Sequence, residues 1–185
     1  MKPKATIILS VYNRIDFLKL VLAGFEIQTE PNFEIILSDD GSNETFVTGI
    51  QDYINHSMLV IKHNWHPDIG FRKNIILNSS VQKANADYLI FVDGDCIPHP
   101  KFVENHLRYA KPGVCLSGRR VDLSENITRI LTPDSIRNGI LQTNSMFLKM
   151  SLDFIRAKLF HLMNGFYTEN KMLLKYFNRK ERSLL

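Results

Sequence analysis

The stretch Ala86–Pro100, ADYLIFVDGDCIPHP, decides how the chain is read. Tyr88 to Val92 is an unbroken apolar and aromatic run, short and without alternation, which predicts a strand buried on both faces. The run stops at two carboxylates, Asp93 and Asp95, on either side of Gly94, and Pro98 and Pro100 keep the strand from continuing. A buried strand that carries paired acids to its own carboxyl end builds a site for a metal ion or a phosphate group. Gly94 allows the backbone to turn tightly enough for both acids to serve one region.

Working back towards the N-terminus, Phe71 to Lys83 predicts a helix with Phe71, Ile75, Ile76 and Val81 on its apolar side. The stretch His63–Gly70, HNWHPDIG, has turn residues and no period, so it reads as a loop, and Met58 to Lys62 reads as a strand. Before that come a helix from Glu44 to about Ile54, with Ser42 and Asn43 as N-cap types, and a strand Phe33–Leu37 ending in Ser38, Asp39, Asp40, Gly41 and Ser42. Phe17, Leu18, Val21, Leu22 and Phe25 set a helical period over Ile15–Gln28, and Ala5–Val11 is the first buried strand. Beyond Pro100 the pattern predicts a helix to Tyr109 and a strand at Val114–Ser117. Short helices follow at Asn126–Leu131 and Ile136–Leu141, a longer one at Leu148–Met163, and another around Met172–Phe177.

Strands alternating with helices imply βαβ units, hence an α/β fold with a mainly parallel sheet flanked by helices and a helical C-terminal portion. We expect residues 1–118 to form the α/β core and residues 119–185 a helical portion of the same domain. The length of 185 residues suits one domain. Hydrophobic residues at 44% and charged residues at 23% exclude a disordered or fibrous chain. The formal charge of +4 comes from the segment beyond Arg119, where bases outnumber acids. A solvated basic helix face is the favoured reading of that excess, with peripheral attachment to an anionic membrane surface as the functional alternative. Nothing in the sequence calls for a nucleic-acid partner.

Lys2 and Lys4 precede an apolar run that is too short for a secretion signal and ends in Tyr12, Asn13 and Arg14. No stretch approaches the ~20 apolar residues of a membrane span. Cys96 and Cys115 make no disulfide framework, so the expected compartment is the cytoplasm, including the inner face of its membrane. The set Cys96, His99 and Cys115 lacks paired zinc-ligand spacing, and an EF-hand fails because Ile97 and Pro98 stand where that loop needs an oxygen ligand and a glycine.

In an open parallel sheet the ligand crevice lies at the carboxyl ends of the strands. Three strands end in groups that suit one ligand: Ser10 and Tyr12, Asp39 and Asp40, Asp93 and Asp95. Tyr12 offers an aromatic face, Asp40 an acceptor for a base imide N–H or ribose hydroxyls, and Arg72 a fixed cation for a carbonyl or phosphate. Two carboxylates beside a diphosphate repel it unless a divalent cation lies between them, and oxygen ligands select Mg²⁺ or Mn²⁺. Read singly, Asp39–Gly41 favours a binding role over a bare turn with a helix cap, whereas Arg72 is more often a surface residue and Trp65 a packing residue more readily than a sugar platform.

ATIILSVYNR, EIILSDDGS, GFRKNIILN and YLIFVDGDC resemble, in order and at similar spacing, the successive motifs of family 2 glycosyltransferases with the GT-A fold. The resemblance runs over the first two-thirds of the chain. It implies a nucleotide-sugar donor, most readily UDP-linked, held by Ser10, Tyr12, Asp39, Asp40, Arg72 and Asp93, with Asp95 and Asp93 at a Mn²⁺ or Mg²⁺ ion. It also implies transfer with inversion to a glycan or glycolipid acceptor of polysaccharide or lipopolysaccharide type. Family members take the general base from an acidic motif downstream of the DxD. Asp134, Asp153, Glu169 and Glu181 lack its surroundings, so no catalytic base is assigned, and the acceptor-and-base segment is expected beyond Leu185. A non-catalytic or incomplete nucleotide-sugar-binding domain is the alternative.

Overall fold

The computed structural model describes residues 2–155. The two strands that are buried almost throughout, β1 (Ala5–Val11) and β2 (Phe33–Asp39), lie parallel in the centre of the sheet, registered from Ala5 opposite Phe33 to Val11 opposite Asp39. β3 (Ile61–Trp65) pairs with the outer side of β2 and β4 (Leu89–Asp93) with the outer side of β1, giving a four-stranded parallel order β3-β2-β1-β4. Parallel neighbours require crossovers, supplied by α1 (Ile15–Glu26), α2 (Glu44–His56) and α3 (Lys73–Gln82). α1 buries Leu18, Val21, Leu22 and Phe25 against Ile7, Leu9, Ile35 and Leu37 in the core. Asn43 caps α2 by accepting the Phe46 N–H at 3.0 Å, a contact that typically contributes about 1 kcal/mol.

The chain proceeds outward from β1 through β2 to β3 and then returns to the opposite side of β1 for β4. The strand order therefore reverses between β1 and β4, the position at whose carboxyl ends open parallel sheets form a ligand crevice. Across the two central strands, Thr6 Oγ1 donates to the buried Glu34 at 2.8 Å. Asn85 supplies two further N–H donors, at 2.7 and 2.9 Å, and Lys62 an ion pair at 2.9 Å. Burial pushes the Glu34 carboxyl up, but Lys62, Asn85 and Thr6 outweigh it and hold its pKa below the ordinary value.

Several expectations need correction. β4 is not buried on both faces: it forms an edge of the sheet among the described residues, and Phe91 is 56% exposed. β3 begins and ends three residues later than the apolar pattern suggests, because Met58 is fully exposed while His63 and Asn64 are drawn into the strand by polar partners. Val114–Ser117 forms no strand. α3 begins at Lys73, leaving Phe71 87% exposed, and it packs through Ile76 and Ser80. Ser80 Oγ accepts from Ser38 Oγ at 2.6 Å and Asn64 Nδ2 at 2.8 Å, so small polar groups, not an apolar stripe, seat this helix on the sheet.

The rest of the described chain is helical: α4 (Phe102–Tyr109), α5 (Glu125–Thr128), α6 (Pro133–Arg137), a 3₁₀ turn at Ile140–Gln142, and α7 (Asn144–Ile155). The chain groups into two compact units. The first runs to Ser117 and includes Ile130–Thr143; within it α6 lies against α1, where Arg137 and the Tyr53 hydroxyl both donate to Glu26. The second contains Gly118–Arg129 and the segment from Asn144, and there the Ser124 hydroxyl both caps α5 and donates to the buried Asp153 of α7. The expected continuation of α7 to Met163 and the helix around Met172–Phe177 lie outside the described residues.

Candidate functional site

At the β1–β4 reversal the two strand ends are locked together. Ser10 stands opposite Asp93 in register, and the Gly94 N–H donates to the Ser10 carbonyl at 2.8 Å. A Cβ at Gly94 would sit 2.7 Å from that carbonyl oxygen, so only glycine permits the approach. The Cys96 N–H donates to the Asp93 carbonyl at 3.0 Å and turns the chain sharply after the strand. Both acids are thereby delivered to the rim with exposed side chains. Asp93 Oδ1 accepts from the Lys73 ammonium at 2.7 Å, and Asp95 Oδ1 accepts from the Cys96 thiol at 3.5 Å.

One strand over, the other acid pair is differently placed. Asp39, the last residue of β2, is wholly buried: Oδ1 accepts the Ser42 N–H at 2.8 Å and Oδ2 lies 2.8 Å from His63 Nε2. Asp40 is nearly buried, with Oδ1 2.8 Å from His66 Nε2, and both its oxygens accept the Arg72 N–H, at 3.2 and 3.0 Å. The pair organises the turn after β2 and anchors the start of α3. Trp65 is half-exposed, and its indole N–H donates to the Ser42 carbonyl at 3.0 Å, tying β3 to the same turn.

The segment 66–72 bridges these acids to Tyr12. Its Asp68 accepts from the Tyr12 hydroxyl at 3.0 Å, and the same carboxylate raises the phenol pKa above its ordinary value. Gly41, at φ +95°, has Asp68 backbone so close that a Cβ would lie 2.6 Å from the Asp68 Cα. Arg72 Nη2 donates to the Pro67 carbonyl at 2.7 Å, while its Nε is buried without a hydrogen-bond partner. Ser10, Asp93 and Asp95 thus share the reversal point, whereas Tyr12, Asp40 and Arg72 are connected through 66–72. Residues 72 and 73 touch both groups: the Arg72 N–H reaches Asp40 and the Lys73 ammonium reaches Asp93. Asp39 faces inward, away from this rim.

His63 and His66 read in sequence as ordinary loop residues on the ligand side, but they engage Asp39 and Asp40, and Asp68 and Lys73 carried no sequence signal. The two histidines stand three apart just where a parallel neighbour of β2 would present them to the consecutive acids, a signal available from strand pairing and invisible to periodicity. Asp134 is exposed and pairs on the surface with Arg137 at 2.7 Å, whereas Asp153 is buried against Ser124. His99 is pushed below its ordinary pKa by burial and then by Lys101, and its Nδ1 accepts the Lys101 N–H at 3.1 Å.

No group of three or more His, Cys, Asp or Glu side chains is arranged to hold a metal among the described residues. Asp93 and Asp95 nevertheless fit a hard divalent ion. Magnesium-like ions take one or two carboxylates and complete their shell with water and substrate phosphates, and these are exposed carboxylates at the switch point with oxygen lone pairs available to donate. No helix of the described residues is long and apolar enough to cross a membrane.

Comparison with known proteins agrees with this architecture. The model of glycosyl transferase family 2 matches residues 6–175. A validoxylamine A glucosyltransferase of Streptomyces hygroscopicus subsp. jinggangensis is 30% identical over 107 residues, which is 57% of this chain and 25% of that protein. A chondroitin synthase of Pasteurella multocida is 31% identical over 103 residues, 55% of this chain and 10% of the relative. The chain therefore spans a quarter or less of the length of these relatives. Among solved structures, a mannosyltransferase from Pyrobaculum calidifontis in complex with GDP-Man and Mn²⁺ superposes with a TM-score of 0.53 at 21% identity, covering 62% of this chain and 34% of that one. That likeness is one of fold, and the fold is GT-A.

Proposed function

Since the chain belongs to glycosyl transferase family 2, we propose that it binds a nucleotide-sugar donor, UDP-linked, and transfers the sugar with inversion to an acceptor of polysaccharide or lipopolysaccharide type. The observation that carries the reading is the Ser10–Gly94 lock, which holds Asp93 and Asp95 exposed at the point where strand order reverses. Asp95, with Asp93, would hold Mn²⁺ or Mg²⁺, and the bound ion supplies charge neutralisation on a departing nucleoside diphosphate. Tyr12 presents a half-exposed ring against which a base can stack, and Ser10 and Asp93 are close enough across the register to address one ribose. Asp40 acts through the Arg72 N–H and His66, fixing the segment that borders the base pocket. Arg72 adds positive charge on the same side.

Residues 1–118 would then be the donor-binding core and 119–185 a helical portion of the same domain. An acceptor met at the inner face of a membrane suits the basic excess beyond Arg119. A second reading is a nucleotide-sugar-binding domain without turnover, favoured by the burial of Asp153 against Ser124. Incubating the 185-residue chain with UDP-sugars and Mn²⁺ and following UDP release separates the two. Release stimulated by a glycan acceptor supports transfer. UDP binding without release supports the binding domain, and absence of any nucleotide binding overturns both.

A further inference from the structure

We propose that Lys73 is a donor-phosphate ligand that guards Asp93 until the nucleotide arrives, so that metal and nucleoside diphosphate each strengthen the binding of the other. The inference rests on the donor-site reading above. Lys73 is the first residue of α3, and its ammonium contacts Asp93 Oδ1 at 2.7 Å, with both side chains at the surface of the crevice and only partly screened. The pair is therefore weak enough to open and close.

A divalent cation approaching Asp93 and Asp95 meets this ammonium already on one of its two carboxylates. Two cations on one carboxylate repel each other, and Asp95 alone is a poor site for a strongly hydrated ion. A diphosphate changes the balance, because it brings negative charge for both the metal and the ammonium. Lys73 then moves from Asp93 to a phosphate oxygen, freeing the Asp93 carboxylate without leaving its own charge unpaired. The geometry around Lys73 suits the second position as well as the first. Arg72, immediately before it, is pinned through its backbone N–H to Asp40, so the Cα of Lys73 stays put while its four-carbon stem swings. The N-cap residue of the ten-residue α3, Arg72, makes no side-chain cap hydrogen bond, so the N–H groups of its first turn add positive field to the same place, reduced by the Asp40 carboxylate behind them.

This exchange makes a prediction that a purely structural lysine does not. Lys73→Met removes the guard and the phosphate ligand together, so its effects on the two ligands taken singly have opposite signs. On the full chain, Mn²⁺ alone, followed by the loss of the free-ion electron paramagnetic resonance signal, should bind up to about fivefold more tightly in the variant. UDP alone, followed by calorimetry, should bind about tenfold more weakly. The enhancement of Mn²⁺ binding by UDP should shrink accordingly, since the coupling between two ligands is reciprocal. Lys73→Arg, which keeps the charge, should stay near the parent in all three. Weakening of both ligands in Lys73→Met, or no change in either, overturns the role of Lys73 while leaving the donor site intact. Failure of the parent chain to take up Mn²⁺ even with UDP overturns the donor-site reading itself.

Discussion

Two pairs of acids terminate two strands of one parallel sheet, and their surroundings differ completely. Asp39 and Asp40, after β2, are buried and engaged by His63, His66, Ser42 and Arg72. Asp93 and Asp95, after β4, are exposed and held by a flexible lysine and a thiol. Similar sequence signatures, D-D-G and D-G-D, thus take different duties according to strand position. An acid at the end of a central strand is surrounded on both sides and must be satisfied by protein groups. Asp93 and Asp95, at the end of an edge strand beside the switch point, keep their carboxylates exposed to solvent.

This contrast is most exposed to failure through stability. Asp39→Ala leaves His63 and the Ser42 N–H unpaired in the interior and should lower the unfolding free energy by about 3 kcal/mol in urea denaturation. Acidification is the next largest effect. The Glu34 pKa is held below its ordinary 4.5, so its contribution is complete above that value and disappears as pH falls through the lower folded value. His106 and His99 are lowered by burial, so each contributes above its ordinary 6.5 and loses that contribution as pH drops below it. The urea midpoint should therefore fall in two stages on acidification, first below pH 6.5 and again below pH 4.5. Glu34→Gln should flatten the second stage alone.

His66→Ala should cost about 1–2 kcal/mol, since Asp40 keeps the Arg72 N–H when the imidazole is removed. The smallest effect belongs to the other pair: Asp95→Ala should change stability by no more than about 0.5 kcal/mol. Equal losses for Asp39→Ala and Asp95→Ala in the same denaturation series would erase the distinction between the pairs.

Much of this arrangement was legible in the sequence. β1 and β2 are clear because Ile7, Ile8, Leu9, Ile35, Ile36 and Leu37 form continuous apolar runs, as strands covered on both faces require. The rim position of Ser10 follows from the end of the β1 run, and those of Asp93 and Asp95 from the end of the apolar run that forms β4. Periodicity failed where polar pairing replaced apolar burial. β3 contains Lys62, His63 and Asn64, all held by partners distant in sequence, so its apolar run pointed three residues early. α3 is seated by Ser80, which no hydrophobic count detects. Phe91 reads as core in sequence, yet an edge strand leaves it exposed. The division of labour between the acid pairs could not be read at all, because it depends on which strand is central.

The central claim is that the exposed pair, not the buried one, receives the ligand. Calorimetric titration of the chain with UDP, in the presence and absence of Mn²⁺ and repeated for Asp95→Ala, tests it directly. UDP binding by the parent that Mn²⁺ strengthens, with that gain lost in Asp95→Ala in a variant as stable as the parent, is the predicted result. UDP binding of equal strength without metal, or undiminished in Asp95→Ala, would contradict it.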